Sequence, residues 1–288
     1  MIKKITKLKL DKHIVTVVFV LQILNKLLNI RKNQYRDYRK LASRFLCGNG
    51  IEIGAGHNPV QVDPSCDVKY VDKLSSKEFR DAFPELPDPR ITEADIIADV
   101  AKDGLRVIAD SSVDFIIASH ILEHLPDPLG FLKECYRVLR NEGVIYLAIP
   151  DKNFTFDKDR ERTKLEHIIK DFRNGVINVD EEHLIDFLKF AARMKIPDSK
   201  EERSSLFNKE LYRSIHVHIW TWGDCVEFIR FLIANEGFLV ELCDMYLPGS
   251  KKIEVIFILR KLNNISVYKA ITHFDSNLDV LREREMRS

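Results

Sequence analysis

Between residues 49 and 149 short apolar runs recur with helix-like or polar stretches between them, and few architectures accept that pattern. The runs read IEIG (51–54), VKYVD (68–72), DIIADV (95–100), VDFIIAS (113–119) and GVIYLAIP (143–150). Most are continuously apolar rather than alternating, which is the mark of strands buried on both faces. Between the last two, DPLGFLKECYRVLR (127–140) places Leu129, Leu132, Cys135, Tyr136 and Leu139 at helical spacing. Strands alternating with helices predict an α/β, Rossmann-like parallel sheet covered on both sides.

The rest of the chain changes character twice. Residues 151–215 are charged and helix-patterned, with no strand candidate, and read as an insertion after the fifth strand. TWGDCVEFIRFLIANEG then offers a helix with Thr221 as N-cap and Gly237 at its end. FLVELCDMY (238–246) and KIEVIFILR (252–260) follow as two strands joined at Pro248-Gly249, which is hairpin chemistry. Three parts result: a helical segment over 1–44, a domain over 45–260 whose residues 151–215 form a lid, and a tail over 261–288.

A chain of 288 residues with a formal net charge of +1 carries no field that calls for nucleic acid, and no nucleic-acid partner is expected. The charge is uneven, however: residues 1–40 hold eleven Lys/Arg against two Asp. Their apolar stretch Ile14–Leu24 is too short to span a bilayer. Residues 1–32 fit a helix lying on an anionic membrane surface, or one docked on the domain or on a partner chain. Five cysteines (Cys47, Cys66, Cys135, Cys225, Cys243) without a C-x-x-C pair suggest neither a zinc knuckle nor a disulfide framework, and point to a reducing cytoplasm.

In a doubly wound sheet, ligands collect beyond the carboxyl ends of the strands. The residues there are Gly54, Ala55, Gly56, His57 and Asn58, then Asp72, Asp99 and His120. An acid ending the second strand suits a ribose diol, as in NAD or S-adenosylmethionine. Pro59 stands where the dinucleotide fingerprint needs its third glycine, which disfavours an NAD-dependent oxidoreductase. S-adenosylmethionine presents a carboxylate, an amine and a sulfonium, which loop N–H groups and an acid such as Glu52 can meet.

These segments carry a family resemblance. IEIGAG resembles the first motif of class I S-adenosylmethionine-dependent methyltransferases, SVDFIIASHILEHLPDP their fourth-strand segment, and RVLRNEGVIYLAIP their helix and fifth strand. YVDKLS, AIPDKNFTFDKDRERTKLEHIIKDF and HVHIWT are similar to a bacterial subgroup often encoded beside surface-polysaccharide genes. The resemblance covers about 45–260 and implies a seven-stranded sheet, S-adenosylmethionine as cofactor, and O-methylation of a sugar or glycan-related acceptor. By position it implies cofactor roles for Glu52, Gly54, Ala55, Gly56, His57, Asn58, Asp72, Asp99, Val100 and His120. It also matches Asp157, Arg160, Thr163, His167 and Asp171 to polar positions of the subgroup, with His216 and His218 alternating in HVHIW. Two departures stand out: Asn141-Glu142 replaces the family's usual Pro-Gly, and the stretch from Gly56 to Asp72 is short and broken by Pro59 and Pro64, so a turn is expected in place of a helix.

For a hydroxyl acceptor the protein must supply a base, and His167 on the lid is the first choice, with His120 the second. Thr163, His167 and Asp171 fall at i, i+4 and i+8, one face of a helix expected to look toward the acceptor. His120 and His124 lack further partners at ligand spacing nearby in sequence, so no metal is expected and His124 reads as structural. A non-catalytic module that keeps the fold is the alternative to an enzyme.

Overall fold

The computed structural model describes residues 38–84, 91–249 and 252–287. Residues 1–37, and with them the membrane-surface expectation for 1–32, lie outside the described residues. One seven-stranded sheet organises the chain. In sequence the strands are β1 (Asn49–Ile53), β2 (Asp67–Asp72), β3 (Ile96–Ile97), β4 (Val113–Ser119), β5 (Leu139–Pro150), β6 (Val240–Tyr246) and β7 (Glu254–Lys261). In space they run β3-β2-β1-β4-β5-β7-β6, all parallel except β7, which is antiparallel to both of its neighbours. This is the Rossmann-like seven-stranded arrangement of class I methyltransferases. The order reverses beside β1, where β2 and β4 leave on opposite sides, and that is where a ligand crevice opens.

Strand pleating sorts the apolar runs onto two faces. Ile51, Ile53, Ile116, Ala118, Ile145 and Leu147 belong to the larger core. Phe115, Ile117, Tyr146 and Ala148 face the other way, onto the helical residues 38–43 (α1) through Tyr38 and Ala42. The runs lack alternation because both faces are covered, and each Ile or Leu so buried contributes about 1.5–3 kcal/mol. Against the larger core pack α3 (Pro128–Val138) and α7 (Trp222–Asn235). Asp127 caps α3 by accepting from Gly130 N at 2.8 Å, and Thr221 and Asp224 cap α7 reciprocally.

Several sequence expectations take concrete form. No helix intervenes between Gly56 and Asp72. Glu142, standing where the family has glycine, adopts φ +62°, a conformation that costs a side chain about 1–2 kcal/mol. The third strand is only two residues long, because Asp99 and Val100 already belong to the loop. The stretch 261–288, read as a tail, instead carries α8 (Val267–Arg287). Its Ala270, Phe274 and Leu278 are buried in the larger core, and Asn277 Nδ2 donates to Leu242 O on β6 at 3.0 Å.

Before the lid, α2 (Ser76–Ala82) follows β2. Residues 151–215 hold α4 (Leu165–Asn174), α5 (Glu181–Asp186) and α6 (Lys200–Arg213) with short 3-10 and π-type turns between them. They have a small core of their own, formed by Leu184 and Leu188 with Ile215 and Val217. No helix among the described residues is long and apolar enough to cross a membrane.

Candidate active site

A cleft of about 580 Å³ opens at the carboxyl ends of β1, β2 and β4. Gly54, Asp72, Asp99, Val100 and His120 all line it, as the strand-end reading expected. Gly54 has φ +65°, a conformation that favours glycine, and a Cβ there would meet the end of the Ile121 side chain, with Cδ1 at 2.2 Å. Asp72 Oδ1 accepts from Leu74 N at 3.1 Å. Burial raises the Asp72 carboxyl above its usual range, partly offset by that N–H, by the Lys73 N–H and by the Lys73 charge. Asp99 Oδ1 accepts from Ala101 N at 3.2 Å, and Lys102 Nζ lies 3.4 Å from Asp99 Oδ2.

His120 is the third strand-end group, and its backbone takes φ +57°. Its Nε2 makes a short contact with Glu254 Oε2, and its Nδ1 lies 3.4 Å from Glu123 Oε1. Burial alone would lower this imidazole, but Glu254 and Glu123 outweigh it and raise its pKa. Glu254 is held down to about 2: its own burial works upward, and His120, Arg39 and Tyr38 more than reverse it.

Other expected residues sit elsewhere. Glu52 is on the face of β1 turned away from the cleft; it is buried, and its Oε1 accepts from Val60 N at 2.9 Å. It therefore pins the loop after β1 rather than meeting a ligand amine. Ala55, Gly56, His57 and Asn58 do not line the cleft; they close a turn in which Asn58 N donates to Ala55 O at 3.0 Å.

The lid polar face is likewise turned inward. His167 Nε2 lies 3.0 Å from Asp171 Oδ2 and 3.2 Å from His183 Nε2, outside the cleft. Thr163 precedes α4 and pairs with Ile219 through both backbone and hydroxyl. Asp157 and Arg160 are buried and ion-paired at 2.8 Å; Arg160 also reaches Asp186 at 2.6 Å and His216 O at 3.0 Å. His218 is buried with Nε2 3.3 Å from Pro126 O. None of these groups lines the cleft: the lid engages its polar residues with one another and at its junction with HVHIW, while His167 stays 40% exposed and Arg160 and Thr163 border a second depression.

The lid residues that do reach the cleft are Ile177, Asn178, Val179, Leu211, Arg213 and Ser214, at the ends of helices. Sequence reasoning missed them; their only signal was position, since Gly175 and Ser214 each follow a helix. The expectation that His124 lacks ligand partners also gives way. Among the described residues the fold brings His216, distant in sequence, to within reach of Glu123 and His124. A second depression, of about 520 Å³ between the start of the lid and α7, contains no strand-end residue.

Residues 47–147 match the model of a family described as "Methyltransferase domain". Over that segment the chain is similar to this family. It contains β1 to β4 and most of β5, and so every strand end that lines the cleft. A protein of Mycobacterium tuberculosis named "Probable S-adenosylmethionine-dependent methyltransferase" is 28% identical over 144 residues, 50% of this chain and 48% of that protein. A relative from Mycolicibacterium smegmatis bearing the same designation is 39% identical over 127 residues, 43% of this chain and 46% of that one. The chain thus spans about half the length of the curated relatives it matches. A Burkholderia thailandensis 1,6-didemethyltoxoflavin-N1-methyltransferase structure aligns over 90% of this chain and 94% of its own, at 10% identity and a TM-score of 0.44.

Proposed function

We propose that the chain is an S-adenosylmethionine-dependent methyltransferase acting on an oxygen of a sugar or glycan-related acceptor. The observation that carries the cofactor reading is the placement of Gly54 and Asp72 on one cleft at adjacent strand ends. The residues fit the group. Gly54, at φ +65°, brings backbone without a side chain to the cleft wall, and Asp72 has one oxygen held by Leu74 N–H while the other can accept from a ribose diol. Asp99 and Val100 stand at the next strand end, where an adenine edge would lie. The printed names of the curated relatives support the same reading.

When bound, the cofactor supplies a methyl group on a positively charged sulfur. The chain must orient the acceptor and take its proton. His120 is suited to receive that proton. Glu254 is ionised and accepts only, so Nε2 carries the hydrogen and Nδ1 the lone pair that takes a proton. Glu254 and Glu123 then stabilise the imidazolium. His120 therefore replaces His167 as the favoured base, and Asp157, Arg160, Thr163, Asp171, His216 and His218 become positioning residues of the lid.

The acceptor class rests on the resemblance to the surface-polysaccharide subgroup. Asn178 and Arg213 on the lid wall give hydrogen-bonding groups beside apolar Ile177 and Leu211, a mixture that suits a sugar ring. A cytoplasmic setting, with residues 1–32 at the inner membrane face, belongs to the same proposal and draws on the basic N-terminus and the five free cysteines. Calorimetric titration with S-adenosylhomocysteine and NAD in parallel tests the cofactor; binding of NAD alone overturns it. Labelled S-adenosylmethionine offered to cell-envelope glycan precursors tests the acceptor, and label found only on a non-sugar fraction overturns that part.

A further inference from the structure

Glu123 is a buried carboxylate, 1% exposed, and neither of its side-chain oxygens has a hydrogen-bond partner among the described residues. A buried carboxyl with neither oxygen hydrogen-bonded is costly unless something meets it. His120 Nδ1 is 3.4 Å from its Oε1, and two further imidazoles stand around it with their outer nitrogens already engaged. His124 Nδ1 lies 2.8 Å from Ile215 O; a carbonyl only accepts, so Nδ1 carries the hydrogen and Nε2 presents a lone pair. His216 Nδ1 lies 2.6 Å from Asp157 Oδ2. Asp157, itself gripped by Arg160, stays ionised, so His216 donates to it and turns its own Nε2 inward. Both inward nitrogens are 3.9 Å from Glu123 Oε1, too far for a hydrogen bond and the spacing left by an atom between them.

The geometry points to a divalent transition-metal site formed by Glu123, His124 and His216, of the zinc or iron(II) class, at the floor of the cleft. The three ligand atoms lie within 4.8 Å of one another. Two ligands about 2.1 Å from one ion stand at most about 4.2 Å apart, so small ring rotations complete the set. A carboxylate with two imidazoles is a donor set that such ions take, and the contacts of His216 with Asp157 and of His124 with a carbonyl are the outer hydrogen bonds that orient ligating histidines. Backbone bonds hold the parts in place: Val217 N and His218 N both donate to Glu123 O, at 2.6 and 3.2 Å.

The neighbouring triple of His167, His183 and His218 is already largely engaged, with His167 Nε2 3.0 Å from Asp171 Oδ2 and 3.2 Å from His183 Nε2, although His218 Nδ1 is buried without a partner. His183 Nδ1 donates to Asp180 at 2.7 Å and its Nε2 accepts from His167, while His218 Nε2 faces the Pro126 carbonyl and so carries its hydrogen. His120 and His124 line the cleft, so the open positions of the ion face the space beside His120. There the ion would hold an acceptor oxygen; that role rests on the methyl-transfer reading, whereas ion binding does not.

The test uses tag-free, full-length protein stripped with a chelator, titrated with Zn²⁺ by calorimetry and with Co²⁺ by visible absorption. One ion per chain is expected. Glu123→Gln and His216→Gln should each weaken binding by about 100-fold or more, and Asp157→Asn by about 10–100-fold, as loss of an outer hydrogen bond does. His183→Gln should leave it unchanged. Circular dichroism checks that each variant folds, and the wild-type stoichiometry stands without any of them. No saturable binding by the wild type overturns the site, as does binding that survives Glu123→Gln or is lost in His183→Gln. S-adenosylhomocysteine titrated into the stripped protein separates the two readings: cofactor binding without metal binding removes only the ion, and the reverse removes only the cofactor.

Discussion

Tyr38 donates its hydroxyl to Glu254 Oε1 at 2.9 Å across 216 residues of sequence. Glu254 also meets Arg39 Nε at 3.1 Å and His120 Nε2, so one carboxylate joins the N-terminal helical residues, the start of β7 and the cleft. Removal of residues 1–32 should leave S-adenosylhomocysteine affinity unchanged, because the anchor begins at Tyr38. Extending the deletion through Arg39 should lower affinity and melting temperature together. Tyr38→Phe should cost about 1–2 kcal/mol in denaturant unfolding, the range for a hydrogen bond to a charged group that keeps other partners. Equal affinity in the 1–32 and 1–39 deletions would show that Glu254 does not depend on this contact.

Gly54→Ala should weaken cofactor binding by about 10-fold. The new methyl meets Ile121 Cδ1 and the φ of +65° costs a side chain about 1–2 kcal/mol. Gly54→Ala combined with Ile121→Ala should restore part of the affinity by removing the clash. A double variant no better than the single one would place the fault in the backbone alone.

Asp72→Ala should weaken S-adenosylhomocysteine binding by about 1–3 kcal/mol, the cost of leaving buried hydroxyls unpaired. Adenosine should lose a similar amount and homocysteine nothing, since only the first carries the ribose. Equal losses for both would contradict the ribose assignment.

Turnover should separate the two histidines. His120→Ala should cut it by about 10²–10⁴ fold, the usual contribution of a positioned base. His167→Ala should change it little, because His167 lies outside the cleft against His183 and Asp171. The pH profile should rise through a pKa above the ordinary imidazole value in the parent, and that limb should vanish in His120→Ala. A deep loss in His167→Ala at full cofactor affinity would return the base to the lid.

Glu52 gives a stability prediction with a definite sign. Burial, against the pull of Val60 N–H and Arg39, raises its carboxyl from 4.5 to about 7. A carboxyl raised on folding adds stability that is complete below the unfolded value and lost as pH climbs through the folded one. Relative to Glu52→Gln, the parent should therefore lose about 3 kcal/mol between pH 4.5 and 7.5, at about 1.4 kcal/mol per unit. Denaturant unfolding of both proteins at the two pH values measures it, and parallel behaviour would count against a buried ionisable Glu52.

The strand ends were legible in the sequence because an apolar run followed by glycine, aspartate or histidine announces where a strand stops. Gly54, Asp72, Asp99 and His120 were found that way. Glu52 was misplaced because a strand residue's face depends on register with β2 and β4, which one sequence does not contain. The Thr163, His167 and Asp171 stripe was visible as a helix face, yet periodicity cannot say which neighbour that face meets. Glu123 and His216 were invisible as a pair because α3, β5 and the whole lid lie between them in the chain. By contrast, Ala270, Phe274 and Leu278 recur at i, i+4 and i+8, and that signal for α8 was present.

Strand β7 lies between β5 and β6 although it is the last strand in the chain. During synthesis β5 must therefore wait at an open edge, with Ile145, Leu147 and Ile149 in place and no neighbour on that side, until residues 254–261 leave the ribosome. An unpaired apolar edge invites association with other chains. The same eight residues deliver Glu254 to Tyr38 and His120, so closure of the sheet and completion of the cleft are a single late event. A nascent chain stopped before Glu254 would present β1 to β5 and the lid with an unprotected edge, and would depend on chaperones rather than on its own cofactor to stay unaggregated.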